Sequence, residues 1–269
     1  PCTIFAPQLT NSNTGVKIVA DNAIPILKGV LEPYARVEYL PGKTIATADV
    51  READALIVRT RTRCDAALLE GSSVKLIATA TIGFDHIDTE YCRRHGSEVA
   101  TAAGCNARGV LQYVAAALVR LSRVQAWEPA DKTLGIVGVG HVGSLVEAYA
   151  RTWGFRVVAC DPPREEREHG GFLPLEEVAC QADILTFHTP LDDTTRHMAG
   201  AQLFERMKPG SILINTSRGE VVDGQALRES GLQYVLDVWE HEPDLAPPLL
   251  RTALLATPHI AGYSAQGKA

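Results

Sequence analysis

The sequence predicts an α/β protein made of two parallel-sheet domains with a cleft between them, and three observations carry that prediction. Short apolar runs alternate with helical patterns from residue 16 onward, the pattern of a parallel sheet whose faces are covered by crossover helices. In the middle of the chain LGIVGVGHVG, residues 134–143, sets Gly138, Gly140 and Gly143 at GxGxxG spacing directly after an apolar run. One helical pattern later, a second apolar run at 157–160 ends on Asp161.

Length and composition agree with this class. A chain of 269 residues suggests two domains, and 46% hydrophobic with 22% charged residues is ordinary globular composition. The formal charge of −6 argues against a general nucleic-acid or anionic-membrane binder. No apolar run approaches the roughly 18 residues of a membrane span, and the start of the chain has neither the basic opening nor the apolar core of a secretory signal. The six cysteines show no CxxC pair or metal-ligand spacing. They read as reduced thiols of a cytoplasmic protein that needs no metal.

Taken in order, residues 1–15 are polar and irregular and read as a disordered extension. A strand at 16–21, a helix around 24–34, a strand at 36–40, a strand at 54–60, a helix at 65–70 and a strand at 75–83 then build the first domain. Ligand-binding residues of such sheets gather at the carboxyl ends of the strands. Arg59 and Thr60 end one strand, and Thr79, Thr81 and Gly83 end the next. Arg61 and Arg63 add positive charge that suits a phosphorylated or carboxylated small molecule, or else are solvated loop arginines. Asn106 is expected to cap a long helix whose apolar stripe includes Val110, Val114, Ala117, Leu118 and Leu121. Its length suits a connector between domains.

The glycine turn then opens the second domain. Each glycine answers a demand: a turn with no room for Cβ, backbone approach to a diphosphate, and close packing of helix on strand. Val142, Leu145, Val146, Tyr149 and Trp153 recur at helical spacing up to Gly154, so a diphosphate would sit on unpaired N–H groups at a helix start. Asp161 falls where a carboxylate accepts from an adenosine ribose and repels a 2′-phosphate, which favours NAD over NADP, although Arg164 stands nearby.

Further strands are predicted at 182–188, 211–217, 233–239 and 253–259, with helices between them. Just past strand ends lie Arg218 in NTSRG, Glu242 in WEHEP and His259 in ATPHIAG. Hydride transfer at an alcohol carbon needs a group that exchanges the hydroxyl proton, which histidine can do. A neighbouring carboxylate fixes its tautomer, and a guanidinium holds a substrate carboxylate in two parallel bonds. His188, His241 and His86 are rivals for the proton-transfer role, and His188, inside a predicted strand, reads as core packing.

GIVGVGHVG, CDPPR, ADILTFHTPL, LINTSRGEVVD, LDVWEHEP and HIAGYSAQGKA together resemble the D-2-hydroxyacid dehydrogenase family over about residues 16–269. TATIGFDHID, GCNARGVLQYV, DPPR and HIAGYSAQGK narrow the likeness to its phosphorylated-substrate branch. The resemblance implies a flavodoxin-like substrate domain at 16–108 plus 259–269 and an NAD-binding Rossmann domain at 109–258. It implies NAD-dependent oxidation of 4-phospho-D-erythronate to 3-hydroxy-2-oxo-4-phosphooxybutanoate, a step of pyridoxal 5′-phosphate biosynthesis, by a cytoplasmic homodimer.

Carried onto this chain, Arg218, Glu242 and His259 are the catalytic residues, with His259 the proton donor or acceptor. Gly138, Gly140, His141, Val142, Gly143, Asp161, Thr189, Thr216, Ser217, Arg218, Asp237 and Gly262 are the NAD contacts. Arg59, from its strand-end position, joins Thr60, Thr81 and Tyr263 as substrate contacts. His141 and Ala103 replace the Asn and Pro of the family's motifs, and relatives continue beyond His259 through a return helix and a dimerisation region, so the chain reads as an incomplete piece of such an enzyme. Two other readings stay open: a relative acting on another 2-hydroxy acid such as 3-phosphoglycerate, and a non-catalytic NAD-sensing protein on the same fold, as some transcriptional corepressors are.

Overall fold

The structure, a computed structural model, describes residues 15–81, 83–242 and 247–263. The extension assigned to residues 1–15 lies outside the described residues apart from Gly15, and so does the tail after Tyr263. The chain divides between Ala103 and Gly104 into two compact units.

The first unit carries β1 (Lys17–Asp21), β2 (Arg36–Leu40), β3 (Ala55–Val58), β4 (Leu76–Thr79) and β5 (Glu98–Thr101). They pair in parallel in the order β2-β1-β3-β4-β5, the flavodoxin-like order in which the strand sequence reverses beside β1. Val19, Leu56, Val58 and Ile77 fill its core from the central strands, with Val50, Leu69 and Tyr91 packed on them from short helices.

The helix expected around 24–34 is instead a chain of turns. Pro33 lacks the N–H a helix needs there and would press on the carbonyl four residues back. Ile26 (φ 66°) and Gly29 (φ 88°) turn left-handed, and the Gly29 N–H goes to the Glu32 carboxylate at 2.8 Å. Local hydrogen bonds thus outcompete a helical stripe that two prolines interrupt.

The second unit carries β6 (Thr133–Val137), β7 (Arg156–Cys160), β8 (Ile184–Phe187), β9 (Ile212–Asn215), β10 (Gln233–Leu236) and β11 (Leu255–Ala256). Their order, β11-β10-β9-β8-β6-β7, is parallel throughout. The chain leaves β6 toward β7 on one side and returns to β8 on the other, so the switch point where ligands bind in doubly wound sheets lies at the carboxyl ends of β6 and β8. β6, β8 and β9 are buried along their whole length, which explains their mostly apolar runs.

The long helix Ala107–Gln125 buries the expected stripe, Val110, Val114, Ala117, Leu118 and Leu121. Asn106 does occupy its N-cap position, but its side chain makes no capping hydrogen bond. The helix His141–Trp153 follows the glycine turn and ends on Gly154, left-handed at φ 99°. The strands are shorter than their apolar strings, because the flanking polar residues curl into loops. One consequence is that His188 lies one residue beyond β8 rather than within it.

Candidate active site

The glycine turn is built as its spacing demands. Gly138 is left-handed at φ 84°, and a Cβ there would stand 2.7 Å from the His188 carbonyl oxygen. A Cβ on Gly143 would overlap the Gly138 carbonyl, so this glycine lets the helix close onto the turn. Gly140 differs: a Cβ on it would meet nothing within 4 Å. Its bare backbone leaves a cradle at the start of the helix, where the first-turn N–H groups of His141 and Val142 have no partner within the helix. That cradle fits a dinucleotide diphosphate.

Asp161 follows β7 and braces the turn. Its Oδ2 accepts the Val139 N–H at 2.7 Å and its Oδ1 the Arg164 N–H at 3.0 Å, and each oxygen keeps a lone pair for a further donor. Arg164 Nη1 donates to the Val139 carbonyl at 2.8 Å. Thr189 turns its methyl to Gly138, and its hydroxyl is buried without a hydrogen-bond partner among the described residues.

Arg218, Glu242 and His259 follow β9, β10 and β11, which are neighbours in the sheet. His259 Nδ1–H donates to Glu242 Oε2 at 2.8 Å, and Glu242 Oε1 accepts the Trp239 N–H at 2.9 Å. Burial pushes the Glu242 carboxyl up, but the hydrogen bond and charge of His259, the Trp239 N–H and Arg218 outweigh it and hold the group below the usual carboxylate range. Arg218 therefore acts on Glu242 through charge. Its own Nη1 donates to the Ser217 carbonyl at 2.8 Å.

Residues beneath hold these side chains. Asp237, with no exposed surface, accepts from Thr257 Oγ1 (2.6 Å) and the Ile260 N–H (2.8 Å) at Oδ1, and from the Ala261 N–H (2.8 Å) at Oδ2. One carboxylate thus ties down the loop that carries His259, which is itself left-handed at φ 56°. Thr257 also hydrogen-bonds the Tyr113 hydroxyl of the long helix at 2.6 Å. Asn215, equally buried, accepts from the Ser217 N–H and hydroxyl and donates to the Arg218 carbonyl at 2.7 Å. A Cβ on Gly219 would overlap the Trp239 carbonyl, so this glycine allows the Arg218 loop to pack on the segment that leads to Glu242.

The sequence singled out neither Asn215 nor Tyr113 as functional. A signal was present for Asn215, since a fully buried apolar strand ending on an amide needs a reason. Tyr113 carries none, because its partner Thr257 is 144 residues away.

Of the rival histidines, His188 sits between two threonine hydroxyls, Thr186 Oγ1 at 3.1 Å and Thr216 Oγ1 at 3.5 Å. Burial pushes it down to about 3. It is a neutral packing group at the switch point, as the apolar string around it implied. Gly262 is placed against Asn106, whose amide a Cβ would overlap, and Tyr263 is exposed.

In the first unit, Arg59 and Thr60 follow β3 and Thr81 follows the adjacent β4. Arg59 Nη1 donates to the Ala23 carbonyl at 3.2 Å. Thr81 and Thr79 share a 2.7 Å hydroxyl hydrogen bond, with His86 Nε2 3.4 Å from Thr79. Arg63 pairs with Asp65 at 2.7 Å, a loop ion pair. Among the described residues no cluster of His, Cys, Asp or Glu could hold a metal, and no helix is long and apolar enough to cross a membrane.

The chain is similar in sequence and fold to known proteins. Residues 107–261, more than half of the chain, match the family described as D-isomer specific 2-hydroxyacid dehydrogenase, NAD binding domain. The chain is 49% identical over 265 residues to the erythronate-4-phosphate dehydrogenase of Bacteroides fragilis, covering 94% of this chain and 76% of that one. It is 45% identical over 262 residues to the enzyme of that name from Azotobacter vinelandii, covering 94% and 69%. Among solved structures, D-lactate dehydrogenase from Aquifex aeolicus, complexed with NAD and lactic acid, superposes with a TM-score of 0.77 at 26% identity, covering 93% and 90%. The NAD+-bound 3-phosphoglycerate dehydrogenase of Entamoeba histolytica shares the fold, with a TM-score of 0.79 at 24% identity and coverage of 95% and 91%. The chain belongs to the D-isomer specific 2-hydroxyacid dehydrogenase family, and its second unit contains that family's NAD-binding domain.

Proposed function

We propose that this chain oxidises 4-phospho-D-erythronate at its 2-hydroxyl with NAD, giving 3-hydroxy-2-oxo-4-phosphooxybutanoate for pyridoxal 5′-phosphate synthesis. The observation that carries the reading is the His259–Glu242 pair, held at 2.8 Å at the strand ends next to Arg218. The substrate is supported by the name borne by relatives 45% and 49% identical.

In this reading Gly138, Gly140, His141, Val142 and Gly143 hold the diphosphate, Asp161 the adenosine ribose, and Thr189, Thr216, Ser217 and Gly262 the remainder of the dinucleotide. NAD, when bound there, supplies the hydride acceptor. His259 takes the substrate's hydroxyl proton at Nε2, since Nδ1 is engaged by Glu242. Glu242 stabilises the imidazolium that forms, and Arg218 orients the substrate carboxylate and polarises the forming carbonyl. Asp237, expected as an NAD contact, has no exposed surface and serves instead from beneath, by fixing the loop of His259.

Arg59, Thr60, Thr81 and Tyr263 bind substrate, and the first unit is the substrate domain. The reading includes a reducing, cytoplasmic setting, supported by the free thiols of Cys64, Cys92, Cys160 and Cys180. It also includes a homodimer of the whole enzyme, which rests on the family resemblance alone. The test is NADH formation from a panel of 4-phospho-D-erythronate, 3-phosphoglycerate and D-lactate. Preference for the first supports the assignment, and preference for another replaces it.

A further inference from the structure

Asp161 and Arg164 stand on the two sides of one residue of the glycine turn. The Asp161 carboxylate accepts the Val139 N–H at 2.7 Å, and the Arg164 guanidinium donates to the Val139 carbonyl at 2.8 Å. The guanidinium therefore lies beside the group that meets the adenosine ribose. An arginine in that neighbourhood is what accommodates the 2′-phosphate in NADP-binding folds of this kind, because its fork of donors matches phosphate oxygens.

Arg164 is not at liberty to do so. Its Nε and Nη2 clasp the Glu168 carboxylate at 2.7–3.1 Å, one helical turn on. The guanidinium also lies 5.0 Å from the centre of the Phe172 ring, and Phe172 is fixed in turn by its N–H on Glu165 Oε2 at 2.8 Å. The charges of Asp161 and Glu147 act on the same guanidinium, and Glu147 has its own partner in Arg151 at 2.7 Å. The hydrogen bond from Arg164 holds the Glu168 carboxyl below its usual range, so the clasp persists at neutral pH.

We propose that Glu168 is a second determinant of dinucleotide choice beside Asp161: it neutralises Arg164 and holds it on the glycine turn, closing a latent 2′-phosphate site through which NADP would otherwise compete with NAD. Glu168 acts through Arg164 and touches no cofactor itself. A helix-surface ion pair of this kind breaks readily when one partner is neutralised.

The test needs no substrate, so it is independent of the 4-phospho-D-erythronate assignment and rests only on the dinucleotide reading of the glycine turn. The unaltered chain, Glu168→Gln, and Glu168→Gln combined with Arg164→Ala are titrated with NADH and NADPH by energy transfer from tryptophan to the nicotinamide. The quantity read is the ratio of the NADPH to the NADH dissociation constant. Glu168→Gln should lower that ratio by about fivefold or more, and the gain should shrink as salt rises from about 0.05 to 0.5 M. Adding Arg164→Ala should abolish it. A ratio within about twofold of the unaltered chain, or a gain that survives Arg164→Ala, overturns the role of Glu168. Failure of the unaltered chain to bind NADH overturns the dinucleotide reading and the proposal together.

Discussion

His259 Nδ1–H donates to Glu242 Oε2 at 2.8 Å, although the two residues arrive from the ends of different strands, β11 and β10. The pairing sets the imidazole tautomer and leaves Nε2 as the nitrogen that can exchange a proton. It also depends on loops rather than on regular structure, so it is the natural place to test the account.

Replacing Glu242 by Gln removes the charge that favours the imidazolium while keeping the shape. The expected outcome is a loss in kcat of about 10²-fold, in the range for a compromised general acid–base, with a smaller change in NADH affinity. The pH dependence has a definite sign. The Glu242 carboxyl is depressed in the folded chain, so its contribution is fully present above the unfolded carboxylate value of about 4.3 and is lost as pH falls through the lower folded value. Denaturant titrations of the chain and of Glu242→Gln from pH 7 downward should converge only at acid pH.

Asp237→Ala leaves Thr257 Oγ1 and the N–H groups of Ile260 and Ala261 without their acceptor. Stranding three donors now held by one buried carboxylate should destabilise the second unit by about 2 kcal/mol, read from urea unfolding. Turnover should fall as well, because the loop that carries His259 loses its anchor.

The glycines of the turn should separate by cause. Gly140→Ala adds a methyl in open space, so it should leave thermal stability nearly unchanged and weaken NADH binding. Gly143→Ala forces a methyl onto the Gly138 carbonyl, so both stability and NADH binding should fall. Melting curves with and without NADH distinguish the two patterns.

His188 is pushed down to about 3 by burial, so its imidazole should stay neutral in the folded chain from pH 8 to pH 5. The unfolded chain binds a proton on this residue below about 6.5 while the folded chain does not. Stability from this source is therefore present above that pH and declines as pH falls toward the folded value, by up to about 1.4 kcal/mol per unit. His188→Asn should flatten this part of the acid limb in a pH series of unfolding curves.

Much of this was legible in the chain. Burial of β6, β8 and β9 on both faces writes itself as mostly apolar runs, and the catalytic candidates fall just past such runs because strand ends are where a parallel sheet meets its ligand. The apolar spacing at 24–34 predicts a helical face, but Pro33 and the left-handed Gly29 decide the backbone, which is a chain of turns. The bracing by Asp237, Asn215 and Tyr113 was not legible as such, since buried polar residues declare their partners only once distant loops meet. In the sequence Glu168 is one of several charges in REERE, residues 164–168. Its meaning lies in what Arg164 touches on its other side, the carbonyl of Val139.

The most direct measurement is NADH formation from 4-phospho-D-erythronate and NAD by the chain and by His259→Gln, alongside NADH affinity for both. The unaltered chain should turn over, and His259→Gln should lose about 10²-fold or more in kcat with NADH still bound. Equal turnover by the two proteins would contradict proton transfer by His259.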